Sequence, residues 1–286
     1  MAIALGLLMI GVMLWAPGAV TAAARDALRV WGLDVAPSLF PYMVFCRLIA
    51  SRLRQSGMPA MPAAALLGML GGSPSGAAVV SVYGRAGNLS RRQTLMLAAF
   101  TGTISPMFLL STTQTWLGNA QICRLLMAAH GVGALFAWAV AAVLIRESPG
   151  ARTQAAHPLQ DSASGDPIAE SVQSILGVGG CIVFFSVLAA CVRVLLPGLP
   201  AASGALIHAV LEIAGGMHAL CTAPLPPTLR AVIMAAASGF SGLSILMQNR
   251  LFLRPLGVSL RHLIGFGLVR AAGAGAAMWA MLAIFP

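Results

Sequence analysis

The sequence predicts an all-α polytopic membrane protein, with about seven spanning helices and two re-entrant hairpins in nine hydrophobic segments that form an inverted-topology repeat. Three observations carry that prediction. Apolar residues make up 59% of the 286 and charged residues 8%, with a mean hydropathy of +0.89, far from a soluble globular composition. An eight-residue phrase occurs twice, at residues 95–102 and 232–239, and each copy runs into small, hydroxyl-rich backbone. Interrupted apolar segments at matching places in two halves point to a site at a repeat interface. The arginines, finally, sort to one face only when two of the segments fold back.

The nine segments lie at about 2–23, 30–50, 62–83, 94–116, 122–145, 171–195, 201–222, 228–248 and 263–285. The first has no basic n-region and reads as a retained span rather than a signal peptide, giving an N-terminal transmembrane helix over 1–29. In the second, Asp34 with Pro37 and Pro41 marks a broken or kinked span, with Arg29 or Arg47 as the expected partner of Asp34. The third carries Gly71, Gly72, Ser73, Pro74, Ser75, Gly76 and Ala77 at its middle. Two glycines and a proline there are enough to break a helix. Arms of about ten residues on either side suit a hairpin dipping to mid-bilayer, whose freed N–H groups could bind an anion or polar ligand. The competing reading is a kinked helix whose small residues permit close packing.

The fourth segment contains the first copy of the doubled phrase and breaks at Thr101, Gly102, Thr103, Ile104, Ser105 and Pro106. The fifth completes a first repeat over 30–145. Residues 146–170 hold four of the seven acidic residues among Ser, Pro, Gly and Gln, and read as a hydrophilic linker. A second repeat follows over 171–286. In its hairpin segment, Glu212 is the only carboxylate deep in apolar sequence of that half. An ionised carboxylate there costs at least about 2.5 kcal/mol, so it must be paired, hydrated or protonated. It is the candidate for coupling to H⁺ or Na⁺, or for accepting a bond from a polar substrate; a neutral Glu bonded to a neighbouring Ser or carbonyl is the alternative. His208, four residues before it, would share its helical face. The eighth segment carries the second copy of the phrase, with Ser238, Ser241 and Ser244 every third residue and Gln248 beyond them. Such hydroxyls can coordinate Na⁺ or bond a sugar or base, or simply pack helices together.

The net charge of +10 comes from seventeen arginines with no lysine. They sit singly or in small groups between apolar runs, as topology determinants do, and not in the basic-aromatic clusters that bind nucleic acid. If all nine segments cross, eight arginines fall on each side and no bias results. If 62–83 and 201–222 are hairpins, Arg47, Arg52, Arg54, Arg85, Arg91, Arg92, Arg146, Arg152, Arg250, Arg254 and Arg261 share one face. Only Arg25, Arg29, Arg124, Arg193 and Arg230 remain on the other, with Arg270 inside the last segment and uncounted. The richer face is then cytoplasmic. In this threading the two repeats start from opposite faces, and Gly102 and Gly239 are 137 residues apart, Gly71 and Gly215 144, Gly32 and Gly177 145.

The five cysteines have no CxxC spacing and suggest neither disulfides nor a metal site. No phosphate loop, nucleophile elbow, HExxH or paired carboxylates appear, so no catalytic residue, metal or cofactor is expected.

With these motifs in place, the chain resembles the nucleoside-recognition (Gate-domain) membrane proteins, and within them a sporulation branch. The matching residues are Trp31 with Pro37, Ser38, Leu39, Phe40 and Pro41; then Gly72, Ser73, Pro74, Ser75, Gly76 and Ala77. Leu211, Glu212, Ile213, Ala214, Gly215 and Gly216 follow, and then residues 238–244 with Gln248. The pattern departs at Ser73, where the family has Tyr before the proline, and at Leu246, where it often has His. The resemblance implies a fold like that of concentrative nucleoside transporters, with substrate between two hairpins of an inverted repeat, and a role in spore formation. It does not carry over a substrate.

The expected function is therefore a transporter or permease-like protein of the bacterial inner membrane. Its solute is small and polar, nucleoside-like or an ion, and its binding residues are Gly72, Ser73, Pro74, Ser75, Gly76, Thr101, Ser105, Glu212, Ser238, Ser241, Ser244 and Gln248. The alternative is a non-transporting scaffold for spore cortex or coat assembly. The lipid bilayer is the partner, nucleic acid is not, and a homo-oligomer is left open.

Overall fold

The computed structural model describes residues 2–55, 57–146 and 166–285. Every regular element among them is helical. Helix α1, Ala2–Trp15, stops at Ala16, and α2, Pro17–Arg29, starts anew with proline at its first position. Proline has no N–H to donate back and fits a first turn, so the chain breaks here and not near residue 29. From Pro17 the helix continues through a π turn, Val30–Val35, into α3, Ala36–Gln55. The wide turn lies just before Pro37 and Pro41, neither of which supplies an N–H to the ladder.

Then come α4 (Ala60–Gly71), α5 (Ser75–Arg85), α6 (Arg91–Thr101), α7 (Pro106–Leu117) and α8 (Ala120–Leu144). After the undescribed residues 147–165, which take most of the expected linker and Arg152 with them, the order is α9 (Pro167–Leu195), α10 (Ala201–Leu211) and α11 (Ile213–Cys221). Helices α12 (Pro227–Phe240), α13 (Gly242–Leu253) and α14 (Leu260–Ile284) finish the chain. Each half thus runs through a long helix, two short helices, a helix in two pieces and a second long helix.

The capping chemistry explains where these elements start. Ser90 with Gln93 and Ser259 with His262 form reciprocal capping boxes before α6 and α14, while Asn119 and Asp166 cap α8 and α9. Both 25-residue helices, α8 and α14, are about 38 Å long, enough to cross a bilayer.

Among the described residues, six helical stretches are long and apolar enough to span a membrane: Pro17–Ile49, Arg91–Ser111, Ala120–Leu144, Pro167–Leu195, Pro227–Leu256 and Leu260–Ile284. The protein is accordingly a multi-pass membrane protein. The break at Ala16 leaves α1 with 14 residues, fewer than a single crossing needs, where the sequence suggests one helix over residues 2–23.

Helices α8 and α14 pack antiparallel, with Ala137 and Ala141 near Phe266 and Val269, and Leu126 and Ala129 in one cluster with Met278. A Cβ on Gly133 would lie 2.6 Å from the Arg270 carbonyl, and one on Gly273 3.2 Å from the Gly133 Cα, so glycine sets their approach. Helix α6 enters from the end where Arg92 caps the last carbonyls of α8, donating to Ile145 O and Ala142 O. Helix α12 enters from the other end, with Ala236 packed against Gly275 on α14. The pairs α4/α5 and α10/α11 are hairpins: a Cβ on Gly76 would meet the Gly68 carbonyl at 2.6 Å, and one on Gly216 would overlap the Ala209 backbone. Arg47 on α3 pairs with Glu170 on α9 and bonds Ser174 at 2.7 Å. That corrects the expected Asp34–Arg47 pairing. The carboxylate opening α9 is simply within reach of Arg47, one helix away.

Candidate functional site

The tip of the first hairpin is built by its backbone. Gly72 takes a φ of +56°, and any Cβ on it would overlap the Ser105 backbone, so glycine lets the tip rest directly on the break between α6 and α7. Ser73 donates its N–H to the Thr103 carbonyl at 2.7 Å and its hydroxyl to Asn249 Oδ1 on α13 at 2.9 Å. The following peptide, Ser73–Pro74, is cis. Ser105, at the far side of the break, caps α7 by accepting the Phe108 N–H, with Pro106 at the first helical position.

The tip of the second hairpin is one residue long. Glu212 leaves the helix with extended backbone (φ −140°, ψ 118°), and its carboxylate turns back to accept the N–H groups of Ala214 at 2.8 Å and Gly215 at 2.6 Å. An acidic side chain is well matched to the positive end of α11. His208 lies beside Gly215, where a Cβ would come 2.7 Å from its Nε2 and 3.2 Å from Glu212 Oε2, and its Nε2 meets the Ser186 hydroxyl at 3.2 Å. The tip packs on the break between α12 and α13, where Ser241 (φ 72°) and Gly242 (φ 75°) are consecutive left-handed residues. A Cβ on Gly242 would come within 3.1 Å of the Ile213 nitrogen.

Between the two tips lies a cavity of about 40 Å³. Its polar lining is Ser73, Ser105, Glu212, Ser244 and Gln248, and its walls include Leu39, Phe108, Ile182 and Ile245. A volume of that size holds a few waters. Glu212 is 1% exposed, and the Ser244 hydroxyl is buried without a hydrogen-bond partner. A larger cavity, about 590 Å³, runs between α1, α2 and α9, but its lining is apolar (Met9, Met13, Trp31, Phe184), which suits hydrocarbon and not a polar solute.

Five of the twelve expected binding residues therefore meet in one place, contributed by both hairpins and both broken helices. Gly72, Pro74, Ser75 and Gly76 shape the first tip without lining the cavity. Thr101 donates to the Leu97 carbonyl at 2.8 Å and packs against Gly68. Ser238 donates to Ala235 O at 2.8 Å and meets His130 Nδ1 at 3.3 Å; Ser241 donates to Ser238 O at 2.9 Å. The three-residue spacing of these serines suggests one face, but the left-handed pair at 241–242 turns the chain, leaving Ser238 toward α8 and Ser244 toward the cavity.

Sequence reasoning passed over Arg270, His130 and Asn249. Arg270, inside α14 and 1% exposed, donates from Nε to Gly239 O (3.0 Å), from Nη1 to Ala99 O (2.9 Å) and from Nη2 to Gly102 O (3.0 Å). The two glycines are the last residues of the doubled phrase. The signal was present: an arginine alone in an apolar segment belongs inside the protein. Among the described residues, no group of three or more His, Cys, Asp or Glu is placed to hold a metal ion.

No family model matches the chain, and no solved structure matches it. The chain is similar to the sporulation integral membrane protein YlbJ of Bacillus subtilis (strain 168), with 25% identity over 292 aligned positions that cover 81% of this chain and 70% of that protein.

Proposed function

We propose that this protein is a transporter or permease-like protein of the bacterial inner membrane, with the nucleoside-recognition type of architecture. Two repeats, 30–145 and 171–286, enter the membrane from opposite faces, and a small polar solute binds between their hairpin tips. The observation that carries this reading is the convergence of both hairpin tips and both broken helices on one small cavity, into whose largely apolar wall Ser73, Ser105, Glu212, Ser244 and Gln248 are set. Backbone interrupted at membrane depth is tolerated where protein shields it or a cavity wets it, and substrate sites of transporters are built from such interruptions. Glu212 couples solute to H⁺ or Na⁺. Its hydrogen bonds stay within its own hairpin, so this tip can part from the α12/α13 break without breaking them. The cavity must widen in this way to take a nucleoside.

The test is uptake of tritiated uridine and adenosine by proteoliposomes under an inward Na⁺ or H⁺ gradient. Wild-type protein should accumulate one of them with a gradient dependence that Glu212→Gln lacks. Equal uptake by both proteins removes Glu212 from the mechanism. A second reading, a non-transporting scaffold for spore cortex or coat assembly, is favoured by the similarity to a sporulation integral membrane protein. Deletion in the source organism that spoils only spores, together with wild-type proteoliposomes that take up neither solute, would favour the scaffold.

A further inference from the structure

Arg270 is the cation that neither the topology nor the cavity uses. It lies inside α14, and the Arg47–Glu170 pair is the only ion pair among the described residues, so no carboxylate neutralises it. Its partners are three carbonyls, and their placement is informative. Ala99 and Gly102 end α6, and Gly239 lies in the last turn of α12. Both helices stop inside apolar stretches, where terminal carbonyls find no water. Each helix C-terminus carries about half a negative charge, so two ends together balance one guanidinium. A planar fork spreads five donors over three nitrogens and so meets three carbonyls on two helices at 2.9–3.0 Å, whereas an ammonium has to make its bonds from one nitrogen.

The position of Arg270 within the fold adds a second argument. Its counterpart in the first half is His130: the two are 140 residues apart, as are Gly133 and Gly273 where α8 and α14 touch, and Ala120 and Leu260 where those helices begin. His130 is equally buried and reaches the Ser238 hydroxyl on α12 at 3.3 Å. In the two-repeat reading, Arg270 and His130 thus occupy matching places on α14 and α8.

We propose that Arg270 is a positioning residue that closes α6 and α12 together with a single guanidinium, fixing the distance between the two breaks that build the cavity. From Gly102 the linkage continues through the Thr103 carbonyl to the Ser73 N–H, and through the Ser73 hydroxyl to Asn249, so it reaches the first hairpin tip and α13. The pairing of Arg270 with His130 rests on the two-repeat reading above; the clamp itself rests on the hydrogen bonds alone.

Hydrogen–deuterium exchange of the full chain in lipid nanodiscs tests this without any solute. Arg270→Met should speed exchange about tenfold or more at residues 99–106 and 237–244 together, with the arms of α4 and α10 within about twofold of wild type. A change confined to one break, or none at either, overturns the clamp. If Arg270→Met yields no monodisperse protein, Arg270→Lys carries the test: both breaks should loosen although the charge remains, and wild-type exchange would overturn the proposal. The exchange of places, His130→Arg with Arg270→His, should restore slow exchange at both breaks, which a residue that merely fills space would not do. If the single variants loosen both breaks but the double variant fails to restore them, the clamp stands and the two-repeat reading falls. An outcome of the uptake experiment changes none of these results.

Discussion

The two hairpin tips occupy equivalent places and are held by opposite means. The first is fastened outward: Gly72 lies on the Ser105 backbone, the Ser73 N–H bonds the Thr103 carbonyl, and the Ser73 hydroxyl bonds Asn249. The second is fastened inward, with Glu212 capping its own α11 through the N–H groups of Ala214 and Gly215. Both solutions satisfy backbone that lipid would leave unpaired. Only the first commits the tip to the neighbouring break. The two hairpins are therefore unlike, one a fixed wall and the other a self-contained unit with a carboxylate at its point.

The largest effects should come where the hairpins agree. Their arms touch at glycine, so Gly216→Val, which drives a side chain into the Ala209 backbone, is expected to abolish folded protein, read as loss of the monodisperse peak on size exclusion in detergent. Gly76→Val, whose Cβ would meet the Gly68 carbonyl at 2.6 Å, should do the same in the first hairpin. Normal yield of either variant would mean that its arms do not depend on that approach.

Next come the tips, where the hairpins differ. Glu212→Ala leaves two N–H groups without their acceptor and should cost about 1–2 kcal/mol, seen as a lower thermal midpoint in detergent, with Glu212→Gln costing less because an amide oxygen can still cap. Ser73→Ala removes one side-chain bond but keeps the backbone bond to Thr103, and should cost about 0.5–1.5 kcal/mol. A larger loss from Ser73→Ala than from Glu212→Ala would reverse this order, making the outward fastening the stronger hold of the two.

Much of this arrangement can be read in the sequence, and what escapes has identifiable causes. Residues that break helices announce themselves: Gly72 and Pro74 fall at a real interruption, and the doubled phrase runs into one at the end of each copy, whereas Glu212, expected on a helical face with His208, is itself the break in the second hairpin. Proline at 17 announces the early stop of α1 just as plainly, but an apolar run of adequate length hides it. Which face a serine presents is harder, because two left-handed residues at 241 and 242 reset the helical phase between Ser238 and Ser244. Arg270 escapes for another reason. Its partners are backbone carbonyls 31 and 168 or more residues away, and carbonyls leave no mark in a sequence.

The smallest effect on stability is the most useful for function. Ser244 has a buried hydroxyl with no partner among the described residues, and a buried hydroxyl without a bond is a cost to the fold. Ser244→Ala should therefore leave the thermal midpoint unchanged or slightly raised, within about 0.5 kcal/mol. A residue kept at a site where it weakens the fold is one whose bond is completed by something else, and Ser244 faces the cavity that Glu212, Ser73 and Ser105 share. The same variant should lower uptake of whichever of uridine or adenosine the wild type accumulates. A fall in stability would instead assign the hydroxyl to an ordered internal water and make it part of the second half's own support, as Glu212 is. The pair of measurements decides whether the second half contributes to the cavity through its tip alone or through α13 as well.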